Sequence, residues 1–266
     1  MSSKLKINQI VTKMPEPMKA SDMIFDLQAN NWWLDLSDVH LPYHDVLVVN
    51  LAIKEAISRK VEGVLLNGDI MDCHELSRFD KSPDDPRYMD EVKMGRDFLS
   101  YLRYKLPKAR IVWKDGNHEE RLQHYLMSRA PALFGLDVLT MPVLLKFADY
   151  GVEYVTDKRV IKMGPLNVVH GHEYRPGIQA PVNPARGLFL RAKSVAICGH
   201  FHQTSEHHEP TITGKPLGAW STGCACQLNP LYMPLNKWNH GFAMIHVQDR
   251  EMFSVQNFRI LEGKVV

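Results

Sequence analysis

From residue 31 onward, the chain alternates short apolar runs with stretches in which apolar residues recur every three or four positions. Short apolar runs are typical of buried strands, and the longer period is typical of amphipathic helices. Asp45 is suited to cap one helix, and Pro107 ends another. The pattern predicts strands over residues 32–36, 64–66 and 111–113 and helices over residues 46–60 and 89–106. This β-α-β-α-β order favours a helix-covered sheet with polar loops at the carboxyl ends of its strands.

The second half of the chain consists mostly of short β-type runs, at residues 152–155, 160–163, 166–169, 195–197, 242–247 and 253–258. No Ser- or Gly-rich linker separates the halves, which predicts one domain over residues 31–266. Together the halves predict an α/β fold of the four-layer α/β/β/α type, a sandwich of two mixed sheets flanked by helices. Residues 1–30 are polar without clear periodicity, so we expect an N-terminal extension that drapes over the domain or is partly mobile.

Composition excludes several protein classes. The 266 residues are 45% hydrophobic and 23% charged, unlike a disordered or collagen-like chain. No apolar run approaches the roughly 20 residues that span a bilayer, and no apolar block follows the N-terminal lysines as in a signal peptide. We therefore expect a cytoplasmic protein without membrane contact. A net charge of +2 does not by itself indicate nucleic-acid binding.

The four cysteines are too few and too irregularly spaced for a disulfide framework, so we expect reduced thiols. Cys224 and Cys226 form a C-x-C pair without a second pair to complete a metal clip. Small residues at a strand end are the favoured interpretation of this pair.

Candidate chemistry is concentrated in five short polar clusters, each of which follows a predicted strand. They are Asp38-Val39-His40, Gly68-Asp69-Ile70-Met71-Asp72, Gly116-Asn117-His118-Glu119, His170-Gly171-His172 and Gly199-His200-Phe201-His202. Carboxylate, imidazole and carboxamide groups without thiolate are typical ligands of Mn, Fe, Zn or Ni in hydrolytic sites. Two four-coordinate metals that share a carboxylate need about seven protein ligands, and the clusters supply that number.

Taken in order, these clusters resemble the motifs of the calcineurin-like metallophosphoesterase superfamily: D-x-H, G-D-x-x-D, G-N-H-[ED], a lone His and G-H-x-H. The resemblance covers residues 38–202. It implies one metal held by Asp38, His40, Asp69 and His202, and a second held by Asp69, Asn117, His170 and His200, with Asp69 as the bridge. It also implies a phosphoric ester hydrolase with two divalent cations, Mn²⁺ ahead of Fe, Zn or Ni, in which a metal-bridging hydroxide attacks phosphorus directly.

By the same resemblance, His118 is the general acid for the leaving group and Asp72 is the carboxylate that orients it. A hydrogen bond that merely supports a metal ligand is the alternative role for His118. Glu119 and His172 either orient ligands or lie in solvent. His172 is also a candidate for contact with substrate.

The chain departs from Ser/Thr protein phosphatases, in which an Arg follows the second Asp of the G-D-x-x-D motif. Cys73 occupies that position here. Arg78 and Arg121 are candidates to contact the substrate phosphate instead, with a salt-bridged surface position as the alternative for each. The compact G-H-x-H motif brings the sequence closer to bacterial and phage-encoded phosphoesterases and nucleases.

The segment 173–193 reads as a loop with a surplus of positive charge, contributed by Arg175, Arg186, Arg191 and Lys193. Next to a metal centre it could guide a polyanion, with Tyr174 and Phe189 stacking on bases; a solvated basic face with Phe189 in the core is the alternative. We expect a phosphate-ester substrate, a nucleotide or nucleic acid ahead of a phosphoprotein. A Ser/Thr-type protein phosphatase and a non-catalytic metal-binding scaffold are the competing hypotheses.

Overall fold

The computed structural model describes Met14, residues 22–174 and residues 182–266. The strands in these residues are β1 (Ile24–Asp26), β2 (Asn31–Leu36), β3 (Gly63–Asn67), β4 (Arg110–Lys114), β5 (Val152–Val155), β6 (Val160–Met163), β7 (Leu166–Val169), β8 (Ala196–Cys198), β9 (Ser205–Pro210), β10 (Pro216–Ser221), β11 (Gly241–Gln248), β12 (Met252–Leu261) and β13 (Lys264–Val265). The α-helices are α1 (Val46–Ser58), α2 (Tyr88–Lys105), α3 (Glu120–Arg129), α4 (Met141–Leu144), α5 (Phe147–Tyr150) and α6 (Pro184–Ala192).

The strands form two mixed sheets. The larger has the order β13-β12-β11-β2-β3-β4-β5, and its segment β2-β3-β4-β5 is parallel while β11 runs antiparallel to β2. The smaller has the order β1-β6-β7-β8-β10-β9, with β7, β8 and β10 parallel. Parallel neighbours end at the same sheet edge, so the loops that follow β2, β3 and β4 meet there, as do those that follow β7 and β8.

Three clusters of buried side chains separate four layers. One lies between the larger sheet and helices α1 and α2, and a second fills the space between the two sheets. A third lies between the smaller sheet and α6. Neighbouring strand residues alternate between clusters, as where Leu34 faces the helices and Trp33 faces the other sheet. The predicted four-layer α/β/β/α sandwich of two mixed sheets is confirmed.

Most predicted elements match closely. The strands β5, β6 and β7 have the predicted bounds, and α1 begins after Asp45, whose carboxylate accepts a hydrogen bond from Val48 N at 3.0 Å. The helix ends at Ser58, two residues before the prediction. None of the described helices is long and apolar enough to cross a bilayer.

Two segments differ from the sequence interpretation. Residues Ile24–Asp26, in the segment assigned to an extension, pair in parallel with β6 at the edge of the smaller sheet; most of residues 1–21 lie outside the described part. The loop interpretation of residues 173–193 is wrong for Pro184–Ala192, which form α6 with an Asn183 N-cap. This helix buries Ala185 and Leu188 against the smaller sheet, and such tertiary burial outweighs its weak helical pattern.

Candidate metal centre

The five clusters meet at one edge of the sandwich, in the loops that follow β2, β3, β4, β7 and β8. Contacts cross between the two sheets: His200 N donates to Asp38 Oδ2 at 2.9 Å, and His170 Nδ1 lies 2.7 Å from the carbonyl oxygen of Asn67. A Cβ atom on Gly116 would overlap the Asp69 carboxylate, so only glycine allows the β4 loop to approach it. Residues far apart in sequence therefore share one buried space.

One group of side chains surrounds the point where the resemblance expects the first metal. His202 Nε2 lies 3.2 Å from Asp38 Oδ1 and 3.2 Å from His40 Nε2. His40 Nε2 is also 3.9 Å from Asp69 Oδ2. Because His40 Nδ1 is hydrogen bonded to Asp72 Oδ1 at 3.0 Å, its hydrogen is fixed there and Nε2 is free to offer a lone pair. Two imidazole nitrogens and two carboxylates thus converge as they would around a cation.

A second group lies against the same Asp69 carboxylate. His170 Nε2 is 3.2 Å from Asp69 Oδ2, and ligand atoms of Asp69, His170 and His200 lie within 4.8 Å of one another. Asn117 Oδ1 and His200 Nδ1 are buried without a hydrogen-bond partner in the described part of the chain. Buried polar atoms are rarely left unpaired, and a cation would satisfy both. Side chains of the expected types therefore fit two divalent metals with Asp69 between them.

The electrostatics of this group also suit cations. Burial alone would raise the pKa of the Asp69 carboxyl, but the positive charges of His118 and His170 hold it well below its usual range. Burial alone would lower the pKa of His170, but Asp69 raises it to about 10. In the same way, Asp38 outweighs burial and raises the pKa of His202 to about 10. The carboxylates of the cluster concentrate negative charge. Without a cation, protons on His170 and His202 balance that charge.

His200 behaves differently from the other two histidines. Burial, together with the positive charge of His170, lowers the pKa of His200 to about 4. This imidazole is therefore neutral at pH 7 and keeps a free lone pair. Neutral imidazole is the form that binds metals.

Glu119, whose role the sequence left open, is buried with 3% exposure and orders the loops of the centre. Its Oε1 accepts hydrogen bonds from the backbone amides of Ile70 and Met71, and its Oε2 accepts from Asp69 and Gly116, all at 2.8 to 3.0 Å. One carboxylate thereby fixes the turn that carries Asp69 against the turn that carries Asn117. Glu119 therefore orders these two turns and does not lie in solvent.

His118 and Asp72 lie together at the edge of the cluster. His118 Nδ1 is 2.7 Å from the Asp72 carbonyl oxygen and 3.2 Å from Asp72 Oδ1, so its hydrogen points at Asp72. His118 Nε2 faces the opposite way and lies 3.7 Å from Asp69 Oδ2. Arg121 reaches the same place, with Nη2 3.0 Å from His118 Nε2 and Nη1 donating to the Asp72 carbonyl at 2.8 Å. Arg121 is thus in the centre.

The other two candidates for substrate contact are placed differently. Arg78 is exposed and its guanidinium lies over the Phe79 ring at 5.9 Å; none of the described hydrogen bonds or ion pairs joins it to a motif side chain. His172 lies next to the second group, with its ring 5.3 Å from that of His170, but its Nε2 is paired with Glu120 Oε1 at 3.0 Å.

The residues proposed to stack on nucleic-acid bases are engaged in packing. Tyr174 and Phe189 are partly buried against the third core cluster, and the Arg191 guanidinium lies 5.7 Å from the Tyr174 ring centre. Arg186 is exposed on α6, whereas Arg175 lies outside the described residues. Both rings are only partly buried, so the prediction that they stack on bases stays a prediction.

Several residues near the centre were missed or undervalued from the sequence. Cys226 Sγ is 3.8 Å from His202 Nδ1 and lies within 4.8 Å of ligand atoms of His40 and His202, so the C-x-C pair borders the first group. Glu173 accepts hydrogen bonds from His170 N and Gly171 N and forms a buried ion pair with Lys114 at 2.9 Å. The C-x-C pattern was visible in the sequence, but its partner is 24 residues away and has no local signal.

No protein-family model matches the chain, and no curated protein matches it. Among solved structures, a single mutant of Vps29 from Entamoeba histolytica aligns with a TM-score of 0.47 at 13% identity, over 88% of this chain and 96% of that one. A dimetal phosphatase from Danio rerio gives a TM-score of 0.39 at 13% identity, over 85% and 98% of the two chains. The phosphoesterase YfcE from E. coli gives 0.38 at 12%, over 85% and 98%.

Proposed function

We propose that the chain is a dinuclear-metal-dependent phosphoesterase that hydrolyses phosphomonoesters or phosphodiesters. The observation that carries the proposal is the convergence of two ligand groups on one shared carboxylate, Asp69, with the buried Asn117 Oδ1 and His200 Nδ1 left for a cation to satisfy. A carboxylate bridge between two ligand groups is the arrangement of two-metal hydrolytic sites. A single structural metal would leave one of the two groups unused.

Two divalent cations held there would lower the pKa of a shared water towards neutrality and offset the charge of a phosphate ester. We infer that Asp38, His40 and His202 complete one group around Asp69. We infer that His170 and His200, with the unpaired Asn117 Oδ1, complete the other. Mn²⁺ is the proposed cation because carboxylate and carboxamide ligands suit it, with Fe, Zn or Ni as alternatives that imidazole also accepts.

His118 is the proposed general acid. The Asp72 carbonyl oxygen accepts a hydrogen bond from His118 Nδ1–H. Nε2 therefore faces the space beside Asp69 where the leaving oxygen of the substrate would lie. In the hydrolysis, the oxygen of a water that has given up one proton to solvent bonds to phosphorus, and the bond between phosphorus and the leaving oxygen breaks. The leaving oxygen takes a proton from His118 Nε2, which solvent then replaces. Arg121 is the proposed phosphate contact: a guanidinium only donates, so Nη2, which lies 3.0 Å from Nε2, must turn to the phosphate before Nε2 can carry the acidic proton.

A nucleotide or nucleic acid is the proposed substrate class, ahead of a phosphoprotein. At the position where Ser/Thr protein phosphatases carry Arg, Cys73 is buried and its backbone amide donates to Glu91 Oε2 at 2.7 Å. No guanidinium can reach the phosphate from there. A non-catalytic scaffold would have no need of the complete His118-Asp72 pair beside the ligand groups.

The test compares the metal-free protein with protein loaded with Mn²⁺, measuring bound metal per chain and the hydrolysis of mono- and bis-(p-nitrophenyl) phosphate. We expect two metals per chain and metal-dependent turnover. Asp69→Asn should lose both metals, since each group shares that carboxylate, whereas Asp137→Asn, at an exposed position, should keep them. An Asp69→Asn protein that retains two metals, or a loaded wild type that hydrolyses neither ester, contradicts the proposal.

A further inference from the structure

A segment outside the five motifs lies against the metal centre. Residues 228–238, here called the aromatic segment, leave the fold after Gln227, whose amide donates to the Tyr43 carbonyl at 2.9 Å. They return at Asn239, whose amide donates to the His202 carbonyl at 2.9 Å. Compact loops with pinned, neighbouring ends often carry function.

The aromatic segment is held in shape by its own hydrogen bonds. Asn236 Nδ2 donates to the carbonyl oxygens of Leu228 at 2.6 Å and Met233 at 2.8 Å. Asn236 Oδ1 accepts from the amide of Trp238 at 2.8 Å. A surface shaped before a ligand arrives binds with less ordering cost.

Two rings connect this segment to the metal centre. The Trp238 ring lies 4.1 Å from that of His202, centre to centre, and the Tyr232 ring lies edge-on to Trp238 at 6.4 Å. Trp238 is half-buried, but Tyr232 is 75% exposed, and on either side of it Leu231 and Leu235 are 99% and 96% exposed. Such apolar exposure on an ordered loop is typical of a binding surface.

Tyr232 is connected to the centre by ring contacts that run through Trp238 to His202. Partial burial of Tyr232 and the negative charge of Asp72 raise its pKa to about 12, while Arg121 acts in the opposite direction. Asp72 and Arg121 are the residues that contact His118, the proposed acid for the leaving oxygen. The His202 ring lies 5.0 Å from the His40 ring, which lies 4.4 Å from the His118 ring, so these contacts lead from the exposed ring to the side of the centre where the leaving group would lie.

We propose that Tyr232, supported by Trp238, stacks on the nucleobase of the substrate's leaving nucleoside. This inference rests on the proposed phosphoesterase function and names its substrate class. The metal centre and Arg121 suit the phosphate, and the neighbouring apolar rings suit a flat base, so charge and apolar surface together match a nucleotide.

A nucleobase fits better than the ring of phosphotyrosine. In phosphotyrosine the ring is bonded directly to the ester oxygen, which would place it at His118. Tyr232 is one ring further from the ligands, with Trp238 between it and His202. A base separated from its phosphate by a sugar reaches that position.

The test measures kcat/KM for adenosine 5′-monophosphate and for ribose 5-phosphate, which lacks only the base, and for a dinucleotide and its abasic counterpart. Three variants are compared with the wild type: Tyr232→Ala, Tyr232→Phe, and the control Tyr104→Ala at a site 78% exposed on α2. Bound metal is measured for each. We expect Tyr232→Ala to lower kcat/KM at least about fivefold on base-containing esters and less than twofold on abasic ones. Tyr232→Phe and Tyr104→Ala should match the wild type.

Three results for Tyr232→Ala would overturn the inference while the proposed function stands. They are an equal loss of kcat/KM on the base-containing ester and its abasic counterpart, no loss on the base-containing ester, and a larger loss on a phosphotyrosine peptide. Calorimetric titration with adenosine 5′-monophosphate measures binding independently of turnover. If the metal-loaded wild type hydrolyses no ester, the proposed function fails. Weaker nucleotide binding by Tyr232→Ala would then still support the stacking contact, and unchanged binding would refute it.

Discussion

At the scale of single residues, the centre is built on backbone that ordinary residues avoid. Left-handed φ angles between 49° and 69° occur at five of the proposed ligands: Asp38, His40, Asp69, His200 and His202. This conformation costs a non-glycine residue about 1 kcal/mol or more, and it persists only where the surrounding fold enforces it. The sharp turns let short loops deliver alternate side chains of D-x-H and G-H-x-H to one point. Such strain is concentrated at functional sites.

His118 provides the most direct test of the proposed chemistry. We expect His118→Ala to lower kcat by about 10²- to 10⁴-fold, the usual contribution of a general acid, with bound metal unchanged. His124→Ala, at an exposed position on the neighbouring helix, is the control and should be neutral. Steady-state kinetics and metal analysis on the same samples check the prediction. Loss of metal in step with loss of activity would instead make His118 a support for the ligands.

We expect Cys226 to affect metal affinity through the proposed ligand His202. Its sulfur is the partner of His202 Nδ1 at 3.8 Å, and partners of this kind fix the ring of a metal-binding histidine. Cys226→Ala removes the acceptor and should weaken affinity for one of two metals about tenfold to a hundredfold. Competition with a chelator measures the change, and Cys198→Ala, whose thiol is buried in the third core cluster, is the control. Equal affinities in Cys226→Ala and wild type would show that the thiol only fills space.

At the scale of elements, prediction from sequence succeeded where apolar periodicity is strong. The β5, β6 and β7 strands are bounded as predicted because each is a short apolar run between polar turns. Strand β9 has no such run: its sequence Ser205–Pro210 is polar and mostly exposed, and pairing with β10 alone makes it a strand. The local sequence predicts whether a segment is a strand or a helix only where burial of that segment's own side chains determines its structure.

The loops that carry the ligands depend on Glu119, which gives a prediction at this scale. Its two carboxylate oxygens accept four backbone hydrogen bonds, and the amide group of Gln would present hydrogens to two of those donors. Since hydrogen bonds to a charged group contribute about 1.5 to 3 kcal/mol, Glu119→Gln should lower the free energy of unfolding by about 3 kcal/mol or more. Urea unfolding checks it, with Glu120→Gln as the adjacent control. A loss below about 1 kcal/mol would contradict this role.

At the scale of the whole molecule, the centre exists only where two sheets meet. The buried ion pair between Lys114 of the larger sheet and Glu173 beside His170 joins the two halves, and neither residue belongs to a motif. The candidate ligands could be listed from the sequence because each has a local pattern. Cys226, Trp238 and Tyr232 could not be placed, because their relation to His202 arises only when distant segments pack together. Long-range packing therefore decides what surrounds the ligands.

The charge balance of the assembled centre predicts how metal binding varies with pH. With their pKa values near 10, His170 and His202 carry protons at pH 7.5 in the metal-free protein, and each must lose its proton to bind a cation. Metal binding at pH 7.5 should therefore release about two protons per chain, and affinity should rise steadily with pH towards 10.

The stability of the metal-free protein should change with pH in the opposite direction. The stability these two protonated histidines contribute is fully present below pH 6.5, their unfolded value, and is lost as pH rises through 10. Calorimetric titration in buffers of different ionisation enthalpy counts the protons, and thermal unfolding across pH 7 to 10 should show the gap between loaded and metal-free protein widening. Release of less than one proton, or a gap that narrows, would mean that His170 and His202 do not have to lose protons when the metals bind.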